Sequence, residues 1–305
     1  MRWYWQCFFD SCKTVFPFQD RLRQIKHGAC GFQPDSSKDA FTIRQGIGQV
    51  QWLRSVLPLG SSTVLEMGSG WQPMIPILFS LAGTARVLVT DLSRLCTPQT
   101  FQAALHSLRQ DKQLIIQELA VDEKTFDEAT RWDPASRLED AFKRLRLEYH
   151  APCDSTNLPF PEASIDAVTS RAVLEHIPPE IIARIFKDTF RVLKRGGYAC
   201  HLVDNSDHWQ HRDASISKLN FLRYSDSTFG LTCLHPLNYQ NRLRHPEYVE
   251  MLVKAGFKIV REEPIVDPEA LRDLKSLPLA QRFQGFREQD LATLTSLVLA
   301  VKEPA

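Results

Sequence analysis

Two acids at the ends of short apolar runs are the residues best placed for chemistry. Glu66 closes Thr63–Glu66 (TVLE) and leads into Met67-Gly68-Ser69-Gly70-Trp71-Gln72-Pro73. Glycines at 68 and 70 allow a tight turn and a close backbone approach to a ligand, with a helix expected just beyond. Glu66 sets a carboxylate where a ligand's cationic amine can sit. Asp91 ends VLVTD, 21 positions after Gly70, about where an acidic residue meets ribose hydroxyls. Plainer uses exist for both: Glu66 as an ordinary strand-end acid, Asp91 as a helix N-cap before Ser93. A dinucleotide-binding turn fits less well, because Pro73 stands where its third glycine belongs and Glu66 would repel a pyrophosphate.

A second group mixes imidazoles with carboxylates. His176 lies in RAVLEHIPP, and His201, Asp204, Asp207, His208, His211 and Asp213 crowd HLVDNSDHWQHRD. Histidine beside aspartate can form an acid–base pair or a divalent-metal site. These spacings are not diagnostic of a metal, and no metal ligand set is assigned from them. Downstream, NFLRYSDSTFG and NYQNRLRHPEY hold Asn220, Arg223, Tyr224, Asn241, Arg242 and Arg244. Arginines with amides and aromatics can grip hydroxyls, carboxylates or phosphates. They can equally pair with nearby acids and anchor the segment.

The elements that must position these groups read as an alternation of strand, turn and helix. Strands are predicted at Thr63–Met67, Arg86–Thr90, Glu148–Ala151, Ile165–Ser170, Gly197–Val203, Phe257–Ile265 and Leu294–Val301. Helices are predicted near Ile43–Leu57, at Pro179–Leu193 and at Pro246–Ala255. Uninterrupted apolar strands between helices imply a parallel sheet covered on both faces. The last two strands, joined by a long stretch with no clear crossover helix, suit an antiparallel pair at one edge. The expected fold is therefore α/β, Rossmann-like: a seven-stranded, mostly parallel sheet with an antiparallel terminal strand and helices on both faces. Ligands of such sheets sit at the carboxyl ends of the strands. Residues 1–57 read as an N-terminal extension with a helical or lid segment, and residues 58–305 as the main domain. Two long connections, a helical one over about 97–145 and a polar one over about 204–245, exceed the minimal plan; the second is assigned to the substrate side.

Bulk properties narrow the partners. A chain of 305 residues with 43% hydrophobic content buries a large core, and a formal charge of +1 gives no global field to recruit nucleic acid. Seven scattered cysteines without a C-x-x-C pair argue against a disulfide framework or a zinc knuckle and for reduced thiols in a cytoplasmic enzyme. No run of eighteen apolar residues predicts a span. Trp3, Trp5, Phe8 and Phe9 offer peripheral membrane contact or a fold-back over the pocket.

The order of motifs resembles the class I S-adenosylmethionine-dependent methyltransferases, of the methyltransferase type 11 kind. VLEMGSGWQP is similar to the family's first motif and VTDLS to its second. CDSTNLPFPEASIDAVTSRAVLEHI is similar to its adenine-binding and post-strand-four motifs, and FRVLKRGGYACHLVD to the helix, turn and fifth strand that follow. The resemblance runs from about Thr63 to Asp204 and resumes at the carboxyl-terminal strands. It implies S-adenosylmethionine as cofactor. Gly68, Ser69 and Gly70 would then pack on its amino-acid part, with Glu66 at the ammonium group. Asp91 would meet the ribose, Leu92 the adenine face, Asp154 and Ser155 the adenine edge, and Ser170 and Arg171 the methionine end. Gln72 replaces a frequent third glycine, which changes the turn's expected shape. Asp154 has a plainer use too, capping a turn ahead of Pro159. With a methyl donor in place, His176, Asp207 and His208 are the candidate catalytic bases, and Tyr224, Asn241, Arg242 and Arg244 the candidate acceptor contacts. The expected acceptor is a small molecule or glycan, methylated at oxygen; the alternatives are C-methylation of a lipid or quinone, or S-adenosylmethionine binding without catalysis.

Overall fold

The computed structural model describes residues 36–133, 135–233 and 239–304. The aromatic residues Trp3, Trp5, Phe8 and Phe9 lie outside them. Seven strands form one sheet: β1 Thr63–Met67, β2 Arg86–Thr90, β3 Leu147–His150, β4 Ile165–Arg171, β5 Leu193–Asp204, β6 Lys258–Val266 and β7 Thr293–Val301, in the order β3-β2-β1-β4-β5-β7-β6. Pairs among β1 to β5 are parallel, and β7 runs antiparallel to both β5 and β6. The expected antiparallel terminal strand is present, but it is inserted one place in from the edge, and β6 is the edge strand.

Burial follows the two-residue period of a strand covered on both sides. Val64, Val87, Val89, Ala167, Cys200 and Leu202 join one core with the helices α1 Ser36–Arg54, α2 Met74–Leu81 and α3 Pro98–Gln110. Leu65, Met67, Leu88, Val168, Ala199 and Val203 join a second core beneath α7 Pro179–Val192. Helix α7 buries Ile182, Ile185, Phe186, Thr189 and Val192, spaced three or four apart on a single face. Between β2 and β3, α3 is followed by α4 Lys112–Leu119, α5 Glu123–Thr130 and α6 Leu138–Arg144, so this long connection is helical.

Helix α1 begins at Ser36 and is no appendage: Ile43, Ile47, Val50 and Leu53 are core residues. Its buried Gln49 donates to Thr169 Oγ1 at 2.8 Å, the Ser170 carbonyl at 3.0 Å and the Cys200 carbonyl at 3.3 Å. A division at residue 58 would therefore cut through one core. The polar connection after β5 is also packed. Leu219, Phe221 and Leu222, with Phe229 of α8 (Asp226–Gly230), pack against Ala270, Leu274, Phe283, Leu291 and Ala292 in a third core. The latter group comes from between β6 and β7, where α10 Pro268–Leu274 and α11 Glu288–Ala292 replace the featureless stretch read from the sequence. Helix α9, His245–Lys254, closes the second core through Tyr248 and Leu252.

Candidate active site

The glycine turn leaves β1 at its carboxyl end. Gly68 and Gly70 both hold positive φ, 73° and 64°, the left-handed region that L side chains avoid. The Gly68 amide donates to the Thr90 carbonyl at 2.8 Å. The Gly70 amide donates to Asp91 Oδ2 at 2.9 Å, and the Ser93 amide to Asp91 Oδ1 at 3.0 Å. Asp91 thus ties the turn to the end of β2 and is not the cap of α3, whose cap is Thr97. The Cys153 amide donates to the Asp91 carbonyl at 2.8 Å, which brings the Asp154 segment to the same edge. Asp154 is exposed and accepts the Thr156 amide at 2.8 Å, so the turn-capping use is realised. That bond and the Thr156 hydroxyl hold its carboxyl below the ordinary value. Leu92 is 73% exposed, an apolar surface offered at the cleft, and Ser155 stands half-buried beside Asp154.

Beneath the turn lies an unusual set of buried polar atoms. Glu66 is 3% exposed, and its Oε2 has no hydrogen-bond partner. Ser69 Oγ and Gln72 Nε2 are likewise buried and unpartnered. Such atoms cost about 1–3 kcal/mol each when left without a partner, and three of them stand within seven residues at this turn. Burial pushes the Glu66 carboxyl well up, opposed by Arg171 and reinforced by Asp91. Arg171 donates to Gln45 Oε1 at 2.8 Å and lies in the field of Glu175, Asp204 and Glu66. Ser170 does not reach this set: it is fully buried, with its hydroxyl 2.8 Å from His201 Nδ1.

The ends of β4 and β5 gather the imidazoles. His176 follows Glu175 in a single 3-10 turn, Leu174–His176. Its Nδ1 lies 3.1 Å from the Tyr239 carbonyl and its ring centroid 4.9 Å from that of His208. His208 stacks on His211 at 5.2 Å, and its Nε2 lies 3.5 Å from Asp204 Oδ2. Burial acts to raise the Asp204 carboxyl, but His208 and Ser206 outweigh it and hold the group at about 2. Glu175, which the sequence reading passed over, is 1% exposed with Oε2 unpartnered. Burial, reinforced by Asp204, lifts it to about 8. An acid directly before a histidine, just past a strand end, is the signal that could have found it.

The remaining candidates turn inward. Asp207 is 1% exposed; its Oδ1 accepts the Trp209 amide at 2.8 Å and its Oδ2 faces Asn220. Both of its oxygens are engaged, one within its own turn and one by its neighbour. Asn241 donates to the Leu174 and Ile177 carbonyls at 2.7 and 2.8 Å and accepts from Tyr248, so it fixes the 174–177 turn. Arg242 donates to the Phe221 and Tyr224 carbonyls, pairs with Asp226, and lies over the Phe229 ring. Tyr224 packs against the third core. Arg244, 1% exposed, donates to the carbonyls of Leu243 at 3.0 Å, Leu291 at 3.2 Å and Asn205 at 2.6 Å. Anchoring, the alternative open in the sequence, is what these arginines do.

Among the described residues, no helix is long and apolar enough to cross a membrane. Residues 117–201 match a methyltransferase domain family; the match spans β3 to most of β5 and stops short of the glycine turn. No curated relative matches the sequence. Solved structures of similar course include a chain from the complex between the Haloferax volcanii Trm112 methyltransferase activator and a methyltransferase, at 16% identity and TM-score 0.44, covering 90% of this chain and 100% of that one. The geranyl diphosphate C-methyltransferase of Streptomyces coelicolor A3(2) aligns at 13% identity and TM-score 0.44, covering 84% and 77%. A SAM-dependent methyltransferase of Methanosarcina mazei aligns at 16% and 0.42, covering 83% and 98%. Residues 117–201, which carry the methyltransferase domain match, thus supply β3, β4 and most of β5 of the seven-stranded mixed sheet.

Proposed function

We propose that this protein binds S-adenosylmethionine at the carboxyl ends of β1, β2 and β4 and methylates an oxygen of a small-molecule acceptor. The carrying observation is the cradle of unpartnered buried polar atoms, Glu66 Oε2, Ser69 Oγ and Gln72 Nε2, around a turn whose glycines present backbone to the cleft. A Cβ placed on Gly70 would meet nothing within 4 Å, so the turn has open space before it. A carboxylate, a hydroxyl and an amide suit the ammonium and carboxylate of an amino acid. Asp91 stands where ribose hydroxyls can share its oxygens, Leu92 offers an apolar face to adenine, and Asp154 with Ser155 stands at the base's edge. Arg171 supplies the positive charge for the methionine end.

When bound, S-adenosylmethionine supplies a methyl group made electrophilic by its sulfonium. The chain's own task is to position the acceptor and handle its proton. His176 and His208 stand at the neighbouring strand ends and are the groups proposed to meet the acceptor oxygen. The inward-facing arginines remove the reason to favour a glycan in particular. The polar character of His176, His208, His211 and Asp204 favours an oxygen acceptor over a lipid or quinone carbon.

Calorimetry with S-adenosylmethionine and with NAD tests the cofactor, and transfer of labelled methyl to fractionated metabolites tests the activity. Binding of the first ligand only, with a labelled product, is the expected result; preference for NAD overturns the reading. Asp91→Ala removes the ribose acceptor and the tether of Gly70. At about 1.5–3 kcal/mol for hydrogen bonds to a charged group, affinity for S-adenosylmethionine should fall by roughly 10- to 100-fold. Unchanged affinity would remove Asp91 from the site.

A further inference from the structure

We infer that Glu175, His176 and His208 form a binding site for a transition-metal dication on the acceptor side of the cleft. One ligand-capable atom from each of the three lies within 4.8 Å of the other two. Two imidazoles and one carboxylate are a ligand set for zinc, cobalt, manganese or ferrous iron rather than for magnesium or calcium, which take oxygen throughout.

Two observations independent of that proximity point to a ligand. Glu175 is 1% exposed, and its Oε2 is buried without a partner, while Oε1 is held at 3.4 Å from the Asp204 amide. One carboxylate oxygen is therefore left for something the chain does not provide. His176 is oriented by the contact of Nδ1 with the Tyr239 carbonyl, which fixes the ring and leaves Nε2 to bind, as outer partners do for metal-bound imidazoles. The His208 backbone is held by its amide, which donates to Gln240 Oε1 at 3.1 Å, and its ring lies beside Asp204. His176 is exposed while Glu175 is buried, so the site is closed beneath and open toward the cleft. Three protein ligands with an open position characterise sites that bind a substrate oxygen.

This site belongs to the acceptor side of the proposed methyltransferase, and the role of its ion rests on that reading. An acceptor hydroxyl bound to the ion is made more acidic, so its proton leaves to water and the imidazoles serve as ligands, not bases. Acceptors with two adjacent oxygens, which can chelate, are the class this arrangement takes.

The test uses the full chain, stripped with a chelator and titrated with cobalt(II). Visible absorption reports coordination, zinc competition reports affinity, and calorimetry with S-adenosylmethionine is run in parallel. Stoichiometric cobalt binding is expected, with the ligand-field bands lost and affinity lowered by more than about tenfold in Glu175→Gln and in His208→Asn. Thermal unfolding of each stripped variant checks that it is folded. His106→Asn, at an exposed histidine outside the cluster, should leave binding intact. Absence of stoichiometric binding, or binding indifferent to both cluster variants, overturns the site. Cobalt binding without S-adenosylmethionine binding would sink the methyltransferase reading and leave the site standing; the reverse pattern would sink the site alone.

Discussion

Replacing Gly68 with alanine should damage the protein by two separable routes. The first is conformational: φ is 73° at this position, and an L residue there costs about 1–2 kcal/mol. The second is steric. An added Cβ would lie 2.5 and 2.9 Å from the two γ carbons of Val173 and 3.3 Å from its Cβ. Valine is stiff about χ1, so no rotation clears both methyls, and the turn or Val173 must give by nearly an ångström. Overpacking of this kind costs about 1–3 kcal/mol. The combined loss is then roughly 2–5 kcal/mol. Val173→Ala in the Gly68→Ala background should remove the methyl overlap and leave the backbone cost. Urea unfolding of wild type, both single variants and the double variant gives the coupling directly, and it should amount to about 1–3 kcal/mol. Because Gly68 belongs to the turn proposed to hold the cofactor and Val173 packs directly against it, cofactor affinity should fall with stability in Gly68→Ala and recover partly in the double variant. Additive single effects, with no recovery, would refute the contact and the coupling drawn from it.

Two further outcomes follow from buried charge. Arg244→Ala strips donors from three buried carbonyls and should cost about 3–5 kcal/mol, lowering the melting temperature by on the order of 10 °C. Affinity for S-adenosylmethionine measured well below that temperature should not change, whereas a selective loss of acceptor binding would restore Arg244 to the substrate side. His201 is fully buried, and burial lowers its imidazole from 6.5 to about 4. The unfolded chain therefore takes up this proton near pH 6.5 and the native state only near pH 4. Stability from this group is complete above pH 6.5 and lost as pH falls to 4, by about 3 kcal/mol in all. Urea midpoints at pH 7 and pH 4.5 should diverge less in His201→Gln than in wild type; equal divergence would show that His201 is not the group responsible.

The inner strands were legible because they are apolar on both faces. TVLEM and VLVT leave little choice of structure, and the spans predicted for β1 and β2 are those observed. The third core was not legible, since α8 and α11 have five residues each, too few for a helical period to show. The arginines misled for a different reason: residue type does not reveal whether a guanidinium will meet a ligand or the chain's own carbonyls. Asp91 was placed at the right edge, but its tie to the Gly70 amide is a backbone contact that no side-chain pattern announces.

What joins the two sides of the cleft is the chain between β4 and α7. Ala172 adopts φ 52°, a left-handed conformation that costs a non-glycine residue about 1–3 kcal/mol and persists only where the surroundings impose it. The imposition is visible: its amide donates to the Leu202 carbonyl at 2.9 Å, Val173 is wedged under Gly68, and Asn241 ties both ends of the following turn at Leu174 and Ile177. The reversal at Ala172 carries Val173 beneath the glycine turn and Glu175 and His176 toward His208. Glycine turn and imidazole cluster are thus linked by one constrained segment, which on the proposed reading is the arrangement a transfer reaction needs when its rate depends on the alignment of two bound groups.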